Sequence, residues 1–141
     1  RLREGPAIVQ YIADQVPDKQ LAPANGTLAR YRLQEWLTFI GTELHKGFSP
    51  LFNPATPEDY KPMVRERLLQ RLQWVDSQLA GKQYLMGDQF TVADGYLFTV
   101  TNWTQPTKLD ISGLAHLAAY RERVGARPAV QAAMKAEGLL K

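Results

Sequence analysis

Apolar residues recur at helical spacing along most of the chain, and strict alternation of apolar and polar residues never persists. At roughly 100° of rotation per residue, Leu33, Leu37, Ile40 and Leu44 fall on one face of a helix. A second apolar stripe begins at Val64 and also repeats every three or four residues. The pattern therefore predicts an all-α fold without internal repeats. Helices are expected at residues 6–16, 28–46, 56–80, 91–103, 114–126 and 128–138.

One segment is rich in helix breakers and divides the chain. Residues 18–26 contain Pro, Asn and Gly, and we interpret them as a linker. The sequence thus predicts a first helical segment (residues 1–17), this linker and an all-helical domain (residues 27–141).

Two predicted helix ends depend on single residues. Gly47 and Pro50 are expected to end or kink the helix that begins near residue 28. Thr56 is expected to cap the next helix, although Pro62 could split off a short leading turn.

Composition and charge exclude several classes of function. A chain of 141 residues with 45% hydrophobic content can bury a core. Its 17 basic and 14 acidic residues are scattered, so we expect neither a nucleic acid nor a membrane as partner. The absence of Cys excludes disulfides and thiolate metal sites within this sequence and suits a cytoplasmic protein. Two His residues without a close carboxylate pattern predict no metal site.

The start of the first helix could bind a small zwitterion. Gly5 is a candidate N-cap, and Pro6 fits the first helical position, where no N–H is needed. The free N–H groups and partial positive charge of a helix N-terminus attract an anion, and the Glu4 carboxylate could hold an ammonium group. An amino acid or a γ-glutamyl group carries both. The alternative is a well-capped helix without a ligand.

A polar stripe near residues 38–46 could hold an anionic ligand. Thr38, Thr42 and His45 follow one another at spacings of four and three, and Glu43 and Lys46 lie nearby. The alternative is that His45 and Lys46 only suit the negative end of a helix.

The remaining polar signals favour structure. Thr91 and Asp94 match a capping box, in which the Thr91 side chain and the Asp94 carboxylate each accept a backbone N–H of the other residue. His116 has no companion and is expected to be an ordinary surface or half-buried histidine.

Four motifs occur in one order along almost the whole chain. They are Glu-Gly-Pro-Ala-Ile-Val-Gln-Tyr-Ile-Ala-Asp at residues 4–14, Trp36, Thr-Glu-Leu-His-Lys-Gly-Phe at residues 42–48 and Phe-Thr-Val-Ala-Asp at residues 90–94. This combination resembles the bacterial beta-class glutathione S-transferases. The resemblance implies a C-terminal helical bundle, preceded by a thioredoxin-like α/β domain whose last helix is residues 6–16. It also implies a homodimer.

The resemblance implies glutathione as co-substrate and assigns the candidate site residues. Glu4 and Gly5 would hold the γ-glutamyl end of glutathione. His45 would support catalysis near the thiol, whereas the main thiol-site residue would lie upstream of residue 1. The remaining glutathione-binding candidates are Thr38, Thr42, Glu43, Leu44 and Lys46, and Thr38 stands where some relatives have Asn.

The expected activity is conjugation of the glutathione thiol to hydrophobic electrophiles. Phe48 and Trp103 are candidates for the co-substrate pocket, and the 141-residue chain by itself is expected to be inactive. The alternative is a non-catalytic helical interaction module of the same domain type.

Overall fold

The computed structural model describes residues 1–140, and helices form nearly all of its regular structure. The α-helices are α1 (Gly5–Gln15), α2 (Leu28–Phe39), α3 (Lys46–Phe52), α4 (Lys61–Leu79), α5 (Val92–Asn102), α6 (Ala115–Gly125) and α7 (Pro128–Ala136). A short 3₁₀-helix (Pro17–Lys19) follows α1, and a π-helical turn (Ile40–His45) joins α2 to α3. The predicted all-helical class is confirmed for these residues.

The two apolar stripes seen in the sequence form the centre of the core. Leu33, Leu37, Ile40 and Leu44 from α2 and the π-turn are completely or almost completely buried. The α4 stripe faces them, and α5 and α6 pack around the same core. Because burial of one leucine side chain stabilises a fold by about 1.5–3 kcal/mol, these stripes account for much of the driving force.

A buried arginine ties α1 to α2 across the linker. Arg30 is only 3% exposed, and its guanidinium donates two hydrogen bonds of 2.8 Å to the carboxylate of Asp14. The same side chain donates to the Pro23 carbonyl and to Gln10 Oε1. These bonds hold the first helical segment against the bundle and thereby fix where the N-terminus of α1 lies.

Of the two outcomes expected at Gly47 and Pro50, an end or a kink, the helix end does not occur. The α-helical pattern instead gives way to the wider π-turn at Ile40 and resumes in α3, which runs through Pro50 to Phe52. A Cβ on Gly47 would lie 2.9 Å from Leu68 Cδ2. The glycine therefore allows α3 to pack closely on α4, which is why it stands within the helix.

The helix predicted from Thr56 begins later. Residues 57–60 form turns, and α4 starts at Lys61 with Tyr60 as its N-cap residue. Pro62 occupies one of the first two helical positions, where its missing N–H costs no intrahelical hydrogen bond. The alternative in which Pro62 separates a leading turn from the helix is the one that the structure adopts.

Candidate functional site

The N-terminus of α1 is strained and carries a carboxylate that has no hydrogen-bond or ion-pair partner among residues 1–140. Glu4, rather than Gly5, is the N-cap residue, and its φ of 70° lies in the left-handed region. Such a conformation costs a residue with a Cβ on the order of 1–3 kcal/mol. The Glu4 side chain is exposed and makes no capping hydrogen bond. Since its carbonyl accepts the Ile8 N–H at 3.0 Å, the backbone of Glu4 still begins the helix while its carboxylate stays free.

Gly5, the residue after Glu4, has open space where other residues carry a Cβ. An added Cβ at Gly5 would have no neighbour within 4 Å, so the backbone here is open on that side. The first N–H groups of a helix lack intrahelical partners. The end of α1 therefore offers an anion-binding backbone beside a carboxylate.

The predicted polar stripe lies on the π-turn and its borders, but its members differ in availability. Thr38, Thr42, His45 and Lys46 are exposed, and the Thr42 hydroxyl donates to the Thr38 carbonyl at 3.0 Å. π-Helical turns occur frequently at functional sites. The exposed side chains of this stripe can therefore reach a ligand.

Two of the predicted glutathione-binding residues on this turn, Leu44 and Glu43, have side chains that face elsewhere. Leu44 is fully buried, because the apolar face of the π-turn packs into the core, so its side chain is not part of a binding surface. Glu43 pairs with Arg71 on α4, with Nε and Oε2 3.1 Å apart. Its carboxylate is thus already bound to a cation of the chain.

Two aromatic residues that lie more than 50 positions later in the sequence contact the His45 ring. Its Nδ1 lies 2.7 Å from the hydroxyl oxygen of Tyr96 on α5. Its ring also packs edge-on against Trp103, with the ring centroids 4.9 Å apart. The imidazole orientation is therefore fixed by α5 and the residue that follows it.

Electrostatics connect His45 to the start of α1. Burial raises the pKa of Tyr96, and the negative charge of Glu4 raises it further. Because α1 also packs against α5, Glu4 lies close enough to influence the phenol that contacts His45. The helix that begins at the first polar cluster therefore packs against the helix that carries the phenol in contact with the second.

An aromatic surface lies beside His45. Trp103 is half-buried and packs edge-on against Phe48 and Phe52, at centroid distances of 5.8 and 5.7 Å. Phe48 is fully buried, so it supports Trp103 from the core and does not line a pocket as predicted. Phe52 is 50% exposed, and sequence reasoning missed it. Its position one helical turn after Phe48 was the available signal.

The capping box predicted at Thr91 and Asp94 is present and belongs to the core. The Thr91 N–H donates to Asp94 Oδ2 at 2.9 Å, while the Leu85 N–H and the Tyr120 hydroxyl each donate to Oδ1 at 2.9 Å. Burial raises the pKa of Asp94 despite these bonds, and burial together with Asp94 raises the pKa of Tyr120. With both oxygens already engaged, Asp94 is a structural residue.

Other parts of the described chain are less informative. His116 is exposed at the start of α6. No group of His, Asp or Glu side chains in residues 1–140 is arranged to hold a metal ion. None of the helices in that range combines the length and apolar character that crossing a bilayer would require.

Comparisons with known proteins identify the family that this chain is similar to. Residues 39–128 match the family model described as "Glutathione S-transferase, C-terminal domain". A glutathione S-transferase of Escherichia coli O157:H7 is 52% identical over 138 residues, which cover 98% of this chain and 69% of that protein.

Solved structures with the same fold include two from sphingomonads. One is a glutathione S-transferase complexed with glutathione, with a TM-score of 0.93 and 46% identity over 99% of this chain and 69% of that one. The other, a bacterial beta-class glutathione S-transferase of Sphingomonas chungbukensis, has a TM-score of 0.94 and 45% identity over the same shares of the two chains.

Proposed function

Because the chain belongs to the glutathione S-transferase family, we propose that the protein conjugates the thiol of glutathione to hydrophobic electrophiles. The observation that supports this proposal is that His45 contacts the Tyr96 hydroxyl at 2.7 Å on α5, the helix against which α1 packs. A relative with 46% identity has been solved in complex with glutathione, which supports the same ligand here.

Glu4 and Gly5 are proposed to bind the γ-glutamyl end of glutathione. The Glu4 carboxylate would accept hydrogen bonds from the ammonium group, and backbone N–H groups at the start of α1 would bind the neighbouring carboxylate. The exposed carboxylate and the strained φ of 70° support this assignment, since strain of this kind is found at ligand-binding positions.

His45 is proposed to support catalysis at the thiol end, with Lys46 adding positive potential. Donors and positive charge near a thiol favour its thiolate form, which is the nucleophile. Thr42 and Thr38 could contact the remaining polar groups of the tripeptide. For Glu43 and Leu44, whose side chains are engaged elsewhere, only backbone contacts are compatible with the described structure.

A preceding thioredoxin-like domain is proposed to complete the site. The chain spans 69% of the length of its E. coli relative, which leaves room for such a domain in a protein of that size. Residues 1–17 would be its last helix, residues 18–26 the linker and residues 27–141 the helical domain. Trp103 and Phe52 would form an apolar wall for the electrophile.

A homodimer is the proposed assembly. Tyr11 and Ile12 on α1 and Leu28 and Tyr31 on α2 are all more than half exposed, which leaves apolar surface on two adjoining helices. Light scattering, which measures the mass in solution, tests this proposal, and a monomer mass would contradict it. A cytoplasmic location stays a prediction.

Binding and turnover of glutathione test the proposed function. In the protein with its proposed N-terminal domain, Glu4→Gln should weaken glutathione binding about tenfold or more, since bonds between charged groups are lost. The matched control is Glu66→Gln on the exposed face of α4, which should leave the Kd unchanged.

Each outcome of this experiment separates the candidate functions. Conjugation of a chlorinated aromatic substrate by the wild-type protein supports the transferase. Glutathione binding without conjugation would favour the non-catalytic interaction module. A protein that neither binds glutathione nor conjugates it would contradict the proposal, and an unchanged Kd in Glu4→Gln would remove the role of Glu4.

A further inference from the structure

The imidazole of His45 has one nitrogen engaged and one without a protein partner. Nδ1 lies 2.7 Å from the Tyr96 hydroxyl, while Nε2 makes no hydrogen bond to any residue in the range 1–140. The contact with Trp103 restricts rotation of the ring. The two ring nitrogens are therefore not equivalent, and the proton of the neutral imidazole has to be assigned to one of them.

The hydrogen-bond partners of the Tyr96 hydroxyl indicate whether the hydroxyl or the imidazole donates in the contact between Tyr96 and His45. Within the described residues, His45 Nδ1 is the only acceptor within hydrogen-bond reach of the Tyr96 hydroxyl. Burial and the charge of Glu4 both raise the pKa of this phenol, so it keeps its proton at neutral pH. A protonated hydroxyl with a single protein acceptor donates to that acceptor.

We propose that Tyr96 is a positioning residue whose hydroxyl donates to Nδ1 of His45 and fixes the neutral imidazole in the tautomer with its proton on Nε2. The consequence for catalysis, that Nε2–H is the group presented to the glutathione sulfur, rests on the proposed function. The assignment of the tautomer does not depend on the proposed function.

The π-turn provides the space for this arrangement. Gly41 lies within it, and a Cβ at that position would be 3.5 Å from the Tyr96 hydroxyl oxygen. An added Cβ at residue 41 would thus touch the Tyr96 hydroxyl oxygen at ordinary van der Waals distance, and glycine leaves that space open. A bulky residue at Gly41 would have to displace Tyr96 from His45.

Nitrogen-15 NMR of the histidine rings tests the tautomer directly. The protein contains only two histidines, so His45 and the exposed His116 can be assigned with one His116→Gln spectrum. In a spectrum recorded about two pH units above the usual imidazole pKa of roughly 6.5, where neutral imidazole is measured, we expect His45 to show an unprotonated Nδ1 and a protonated Nε2. His116 serves as the internal reference, with ring nitrogens averaged by exchange between tautomers.

The variant Tyr96→Phe removes the donor and keeps the ring. The His45 nitrogens should then move toward the averaged values of His116. In the full enzyme kcat should fall about five- to tenfold, as expected for one lost hydrogen bond, with the Kd for glutathione unchanged. Tyr60→Phe is the matched control, because it removes an exposed hydroxyl before α4 and should alter neither measurement.

The outcomes distinguish this inference from the proposed function. A wild-type spectrum with the proton on Nδ1, or unchanged His45 nitrogens in Tyr96→Phe, would overturn the tautomer assignment. A shifted tautomer with unchanged kcat would overturn the positioning role and leave the assignment intact. If the wild-type enzyme conjugates nothing, the proposed function fails while the NMR result stands.

Discussion

Two carboxylates stand at two helix N-termini of this protein and have opposite surroundings. Asp94, in the first turn of α5, is completely buried and accepts hydrogen bonds from Leu85, Thr91 and Tyr120. Glu4, at the start of α1, is exposed, makes no capping bond and has a φ of 70°.

These surroundings distinguish a structural carboxylate from one that is available to a ligand. The partners of Asp94 are all supplied by the chain, so its removal leaves buried donors unsatisfied. Glu4 has a free carboxylate on a strained backbone, so its removal should cost little or no stability. Burial and satisfied hydrogen bonds, rather than residue type, separate the two.

The largest expected effect is on stability at Asp94. Asp94→Ala leaves the Leu85 N–H and the Thr91 N–H without acceptors, and it leaves the Tyr120 hydroxyl only a 3.4 Å contact with the backbone carbonyl of residue 94. We expect the free energy of unfolding in urea to fall by about 3–5 kcal/mol, because each buried unsatisfied donor costs about 1–3 kcal/mol and removal of a buried carboxyl offsets part of the sum. The exposed Asp88→Ala is the control. A loss below about 1 kcal/mol would contradict the structural role.

A smaller effect of opposite sign is expected at Glu4. Glu4→Gly relieves the positive φ and should raise the free energy of unfolding by about 1 kcal/mol, after the entropic cost of glycine is subtracted. Glu4→Ala is the matched variant, since it keeps the Cβ and the strain and should leave stability unchanged. Both variants should weaken glutathione binding. A destabilised Glu4→Gly protein would show that the strain is absent.

The smallest expected effect is a change in how the free energy of unfolding depends on pH. Hydrogen bonds from Arg30 hold the pKa of Asp14 below its usual 3.8. A lowered pKa in the folded state gives stability that is present above pH 3.8 and is lost as the pH falls through the folded-state value. Asp14→Asn should therefore be less stable than the wild type at neutral pH, and the difference should shrink in acid.

The contribution of Asp94 to stability depends on pH in the opposite direction. Because its pKa is raised by burial, its contribution to stability falls as the pH rises from 3.8 toward the folded-state value. Urea unfolding of the wild type and both single variants between pH 3 and 7 (roughly the range over which carboxylates titrate) separates the two effects. A difference between wild type and Asp14→Asn that grows in acid would contradict the ion-pair explanation.

Much of the fold could be predicted because it depends on local periodicity. The α4 stripe and the capping box at residues 91–94 need only neighbours three or four positions away, and both are present in the structure. A helix end, one of the two outcomes expected at Gly47, does not occur, because the reason for that glycine lies on another helix, at Leu68. The pocket role of Phe48 was wrong because burial is not visible in a single helical segment.

The candidate site was predictable only in pieces. Glu4 and His45 were identified from helix-end chemistry and family resemblance. The contact between His45 and Tyr96 joins residues 51 positions apart, and no local pattern encodes it. Arg30 was missed for the same reason, since its partner Asp14 lies across the linker.

Spacing along the chain was enough to predict most of the helical segments and their apolar faces, and four short motifs carried the family resemblance. The folded arrangement adds the contact of His45 with Tyr96, the packing of α1 against α5 and the burial of Asp94. These features could not be predicted from local sequence, because hydrogen bonding, burial and charge act through space, between helices whose packing no single stretch of sequence specifies.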